Sequence, residues 1–121
     1  MRILFVDDEC RVLDGLRRTL RPMREQWEML FAEGGVNALK VLSQQSVDII
    51  VTDMQMPGMG GYDLLNAVLG EYPQMKRIVL SGYSRFEAEV RAANLVDAYL
   101  TKPCGLPELK QAIQAVAASA S

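Results

Sequence analysis

The sequence predicts an α/β fold, a single doubly wound domain in which five parallel strands alternate with five helices. Three observations carry this. Short apolar runs without alternation recur at Ile3–Val6, Ile49–Val51 and Ile78–Leu80, as expected of strands buried on both faces. Between them the hydrophobic spacing becomes helical, three and four residues apart. Polar residues close the runs: Asp7 and Asp8 after the first, Thr52 and Asp53 after the second and Ser81 after the third. Strands that alternate with helices pack as a parallel sheet whose right-handed crossovers cover both faces.

Taken in order, the first strand, Ile3–Val6, stops at Asp7, Asp8 and Glu9. Val12, Leu13, Leu16 and Leu20 then fall on one face of a helix, with Arg11, Asp14, Arg17 and Arg18 between them, and Pro22 marks its end. Trp27–Ala32 suits a second strand, which Gly34 and Gly35 break. Val36, Ala38, Leu39 and Leu42 mark the second helix, fading into the polar Ser43–Ser46. The third strand runs through Ile49, Ile50 and Val51 to Asp53 and is followed by a loop rich in Met, Pro and Gly. Tyr62, Leu64, Leu65, Val68 and Leu69 form the third helix, closed by Gly70 and Pro73. After the fourth strand, Ile78–Leu80, the segment Phe86–Ala93 is helical but weakly patterned. Ala98–Leu100 is a short fifth strand ending in Thr101, Lys102 and Pro103. Leu109, Ala112, Ile113 and Val116 share a face of the last helix, with Pro107 and Glu108 suited to its first turn. The Ala/Ser tail from Ala117 to Ser121 reads as a natural end or as the stub of a longer protein, of which residues 1–121 would be the N-terminal domain.

Composition narrows the function. Thirteen Lys and Arg against fifteen Asp and Glu give a formal charge of -2, with no general attraction for nucleic acid or an anionic membrane. No apolar stretch approaches the length of a membrane span and no signal peptide is visible, so the expected location is cytoplasmic. There Cys10 and Cys104 read as free thiols, since they make no metal-ligand spacing. The chain has no histidine, which excludes a histidine base and any Ser/His or Cys/His nucleophile pair. The seven methionines read as flexible core and loop filler.

In a parallel sheet the carboxyl ends of the strands lie along one edge, where ligands bind. Asp7, Asp8, Asp53, Ser81 and Lys102 should therefore converge on one shallow site. Three close carboxylates repel one another, and the charges that could offset this are Lys102 and a bound divalent cation. All-oxygen ligation with few carboxylates suits Mg²⁺, often together with a phosphoryl group. Phosphoryl transfer asks mainly for positioning and charge neutralisation, and an aspartate can accept the group as an acyl phosphate. Each residue also has a plainer reading: Asp53 as a turn former, Ser81 as a partner of the backbone, Tyr99 as strand packing.

The acid pair in VDDE, the acid in TDMQMPGMGGYDLL, the hydroxyl in LSGYS and the lysine in YLTKP follow one another in an order and spacing that resembles the response-regulator receiver domain, across essentially the whole chain. The resemblance implies a flavodoxin-like sheet of order 2-1-3-4-5. It implies that Asp53 takes a phosphoryl group from a phosphohistidine on a sensor histidine kinase or histidine phosphotransfer protein. Mg²⁺ would be held by Asp8, Asp53 and the backbone carbonyl of Gln55, with Asp7 acting directly or through a water. Lys102 would hold a phosphoryl oxygen, the Lys102–Pro103 bond would be cis, and Ser81 and Tyr99 would be the switch residues. The output would be the surface of the fourth helix, fifth strand and fifth helix, acting on an output domain or effector. Homodimerisation is a further habit of the family. Such a domain is a phosphoacceptor switch rather than an enzyme.

Other functions fit less well. A dinucleotide or flavin binder wants a phosphate-binding loop where Asp7, Asp8 and Glu9 stand. A haloacid-dehalogenase-type phosphatase needs a second acid two residues after the nucleophile, where this chain has Gln55. The alternative that remains is a receiver-like interaction module that works without phosphorylation.

Overall fold

The structure, a computed structural model, describes residues 1–119. Its elements are β1 (Arg2–Asp7), α1 (Cys10–Leu20), β2 (Glu28–Glu33), α2 (Gly34–Gln44), β3 (Ile49–Thr52), α3 (Gly61–Glu71), β4 (Lys76–Ser81), α4 (Glu87–Ala92), β5 (Ala98–Thr101) and α5 (Leu106–Ala118), with a 3₁₀ turn at Arg21–Met23. The five strands are all parallel and ordered β2-β1-β3-β4-β5, the flavodoxin-like arrangement.

The unpatterned apolar runs are explained by layers on both sides. Ile3, Phe5, Ile49, Val51, Ile78 and Leu80 point to one face, where Leu13 and Leu20 of α1 and Leu109, Ile113 and Val116 of α5 cover them. The alternate residues Leu4, Val6 and Ile50 meet α2 and α3 on the other face, and Val79 meets Leu65 of α3 and Val90 of α4. Because successive side chains on a strand point to opposite faces, a strand covered twice is apolar at consecutive positions through its middle.

Element ends differ from expectation where tertiary contacts decide them. β2 begins at Glu28 because the Trp27 N–H closes a turn onto the Met23 carbonyl at 2.9 Å and the indole is buried in the core. Pro22 sits within the short 3₁₀ turn that follows α1, where a missing N–H costs nothing. α4 is only six residues long and ends at Ala92, two residues before Asn94, whose φ of 58° turns the chain out of the helix. Ala117 and Ala118 of the Ala/Ser tail belong to α5, and residues 120–121 lie outside the described residues. No helix among the described residues is long and apolar enough to cross a membrane.

Order reversal between β1 and β3 is what positions the site. The chain winds outward from β1 to β2 and then returns to β3 on the other side, which leaves a crevice at the carboxyl ends of the two central strands. Asp7, Asp8 and Asp53 stand there.

Candidate functional site: an acidic cluster at the carboxyl edge

Asp7 is the last residue of β1 and only 3% exposed. Its Oδ1 accepts the Glu9 N–H at 3.0 Å and its Oδ2 accepts from Lys102 Nζ at 2.9 Å. Asp53 follows β3 directly; its N–H donates to the Val6 carbonyl at 3.2 Å, tying the acid to the end of β1. Asp53 Oδ1 accepts the Met54 N–H at 2.7 Å, while Oδ2 lies 3.6 Å from Lys102 Nζ. Asp8 is exposed at the rim, and one oxygen from each of Asp7, Asp8 and Asp53 can be chosen so that all lie within 4.8 Å of one another.

Lys102 comes from the opposite half of the chain. Its backbone N–H donates to the Ser81 carbonyl at 2.7 Å, extending the β4–β5 ladder by one residue, and the Lys102–Pro103 peptide bond is cis. Ser81 is fully buried, and its Oγ accepts the Tyr83 N–H at 3.2 Å rather than reaching the acids. Tyr99 points inward from β5, 8% exposed, and its hydroxyl donates to the Tyr83 carbonyl. The Tyr83 main chain is thus held at its N–H by Ser81 and at its carbonyl by Tyr99. Gln55 lies on the exposed loop two residues beyond Asp53.

The electrostatics follow from three carboxylates around one ammonium. Burial works against the charged form of Lys102, but the hydrogen bond to Asp7 and the attraction of Asp53 and Asp7 outweigh it and raise its pKa above the ordinary lysine value. The Asp8 carboxyl is raised from its ordinary value of 3.8, first by lost hydration, then by the hydrogen bond with Asp7 and repulsion from Asp7 and Glu9. Burial also raises the Tyr99 phenol, which stays a neutral donor. Negative charge therefore exceeds what Lys102 neutralises. That excess, presented by oxygen donors at an open rim, fits a hard divalent cation such as Mg²⁺ that keeps part of its water shell. A hollow of about 610 Å³ lies at the far edge of the sheet, among Leu42, Val47, Tyr72 and Met75, and shares no residue with the acids.

The structure brings together Asp7, Asp8, Asp53 and Lys102, and sets Ser81 and Tyr99 one layer behind them. Sequence reasoning missed Thr52, fully buried, whose Oγ1 donates to the Asp53 carbonyl at 3.0 Å. A lone hydroxyl at the end of an apolar strand, next to the acid, was the available signal. It also missed the Tyr83 backbone, which no side-chain pattern can reveal.

Fold and site together present an acidic cluster, with one lysine against it, at the carboxyl edge of a five-stranded parallel sheet. The response regulator receiver domain model matches residues 3–114, and the chain belongs to that family of phosphoacceptor signalling modules of two-component systems, which are not enzymes in their own right. It is 37% identical over 103 residues to the hydrogenase transcriptional regulatory protein HoxA of Cupriavidus necator, covering 84% of this chain and 21% of that protein. It is 32% identical to the transcriptional regulatory protein YesN of Bacillus subtilis, covering 97% of this chain and 32% of that one. The chain thus spans a third or less of these relatives. Among solved structures, the response regulator TrrA of Thermotoga maritima, in complex with Mg²⁺ and a beryllium fluoride, superposes with a TM-score of 0.85 at 30% identity, covering 95% of this chain and 97% of that one. The signal receiver domain of an HD domain-containing protein from Pseudomonas fluorescens gives a TM-score of 0.87 at 29% identity, covering 95% and 92%.

Proposed function

We propose that this chain is the phosphoacceptor switch of a two-component system, with Asp53 as the acceptor. The observation that carries the reading is the meeting of Asp7, Asp8 and Asp53 within 4.8 Å, with Lys102 bonded to one acid and close to another. An Asp53 carboxylate oxygen attacks the phosphorus of a phosphohistidine on a sensor kinase or phosphotransfer protein. The P–N bond breaks, the imidazole nitrogen keeps its electron pair, and an acyl phosphate remains on Asp53. Lys102 holds a phosphoryl oxygen and offsets its charge. Asp7, Asp8, Asp53 and the Gln55 carbonyl would hold Mg²⁺, which when bound supplies further charge neutralisation.

The phosphoryl group brings roughly 1.5 to 2 negative charges and three strong acceptors. Ser81 exchanges the Tyr83 N–H for a phosphoryl oxygen, and Tyr99, bonded to the carbonyl of the same residue, passes the change to the surface of α4, β5 and α5. That surface acts on an output domain or effector, the domain being the N-terminal part of a longer cytoplasmic regulator. The names of HoxA and YesN support a transcriptional output, and the HD domain-containing neighbour supports a different one.

Intact-mass spectrometry tests the acceptor. With acetyl phosphate and Mg²⁺ the wild type gains one phosphoryl group and Asp53→Asn gains none; an equal gain in the variant refutes the assignment. The inward Tyr99 of the unmodified chain favours one second reading, an interaction module that needs no phosphorylation. On that reading the wild type takes up no phosphoryl group.

A further inference from the structure

We infer that Gly61 and Thr52 are positioning residues for Asp53: together they clasp its backbone carbonyl and so set where its carboxylate stands. Gly61 opens α3 and is buried, with its N–H donating to the Met54 carbonyl at 3.0 Å. A Cβ on Gly61 would overlap the Asp53 carbonyl oxygen outright and lie 2.7 Å from Met54 Cα and 3.1 Å from the Asp53 carbonyl carbon. These are backbone atoms and cannot rotate away. From its own side chain Thr52 donates to the same carbonyl oxygen at 3.0 Å.

The consequence reaches the acid through one peptide. The group that Gly61 would displace is the Asp53–Met54 linkage, and the Met54 N–H of that linkage is the donor that orients Asp53 Oδ1 at 2.7 Å. Neighbouring glycines are under no such demand. A Cβ on Gly60 would make ordinary contact with the Met54 carbonyl oxygen at 3.5 Å, and one on Gly35 would meet the flexible Met59 side chain, Cγ at 2.8 Å and Sδ at 2.9 Å. The requirement at Gly61 is therefore close approach, imposed by the helix start pressing on the acceptor.

The inference rests on the reading of Asp53 as the phosphoacceptor, and the test separates the two. Gly61→Ala, Gly60→Ala and Thr52→Val are compared with wild type for melting temperature, for the Mg²⁺ dissociation constant by calorimetry and for the rate constant of phosphorylation by saturating acetyl phosphate. A displacement near 1 Å predicts a rate constant lowered about 100-fold in folded Gly61→Ala, a smaller loss in Thr52→Val, and Gly60→Ala within twofold of wild type. A Gly61→Ala protein that melts lower yet keeps the wild-type rate constant and Mg²⁺ affinity overturns the inference, as does an equal loss in Gly60→Ala. If Gly61→Ala does not fold, Thr52→Val decides, and its wild-type rate overturns the inference. Should the wild type take no phosphoryl group, the reading of the acceptor fails. Crystal structures of the variants then judge the clasp alone: a carboxylate cluster still within the 4.8 Å of the parent overturns it, and an opened cluster supports it.

Discussion

Replacing Lys102 by methionine removes the one ammonium in the acidic cluster while keeping most of its bulk. The Asp7 carboxylate is 2.9 Å from Nζ and the Asp53 carboxylate 3.6 Å. Two charges about 4 Å apart attract by about 4 kcal/mol at an effective dielectric of about 20, before desolvation is subtracted. Removing one member of a buried pair strands the other and costs about 3–5 kcal/mol. Asp7 is 4% exposed at its side chain but Lys102 is 27% exposed, which screens part of the attraction. A loss of about 2–3 kcal/mol is therefore expected. For a chain of this size that lowers the melting temperature by on the order of 10 °C. The raised Lys102 pKa fixes the pH range. The stabilisation is fully present below the unfolded-state lysine value and fades only as pH climbs through the higher folded-state value, so it is intact at pH 7. Thermal melts in chelator and in excess Mg²⁺ make the measurement. Mg²⁺ should raise the variant's melting temperature more than the wild type's, because the cation then offsets the acids alone. A variant that melts within about 2 °C of wild type in chelator, or equal increments from Mg²⁺, would refute the charge account.

Asp8→Asn should act in the opposite direction. The folded chain binds a proton at Asp8 more readily than the unfolded chain does, so ionised Asp8 costs stability at neutral pH. The variant without metal should melt higher than wild type at pH 7. That gain should disappear as pH falls toward the ordinary value of 3.8, and the stabilisation by Mg²⁺ should be lost with it; a variant that melts lower in chelator contradicts this. Tyr83 is half-exposed, packed edge-on against Phe86 with Arg85 stacked over its ring, two residues beyond Ser81. Tyr83→Ala should open the path of water to the acyl phosphate and shorten its lifetime several-fold, as followed by loss of the added mass; an unchanged lifetime removes Tyr83 from the water's approach.

Much of this architecture is legible in the sequence because two periodicities suffice to write it. The runs at Ile3–Val6 and Ile49–Val51 read as strands covered on both faces, and the acid at the end of each needs only the parallel topology to meet the other. Lys102 is legible in the same way, though 95 residues separate it from Asp7. What escaped is local and steric. The start of β2 depends on where Trp27 packs, and the length of α4 on a left-handed Asn94. Gly61 looks like any loop glycine until the Asp53 carbonyl is seen against it. Ser81 and Tyr99 are visible as a hydroxyl at the end of β4 and an aromatic within β5, but their common link, the Tyr83 backbone, has no signature in side-chain type.

Reductive trapping reads the proposed bond between a phosphoryl group and the Asp53 carboxylate directly. Hydride from borohydride cleaves an acyl phosphate and leaves the former aspartate as homoserine, which peptide mass spectrometry locates. Protein treated with acetyl phosphate and Mg²⁺ should carry homoserine at Asp53, and none when Mg²⁺ is chelated. Homoserine at Asp7 or Asp8 in place of Asp53, or at none of the three, would contradict the account.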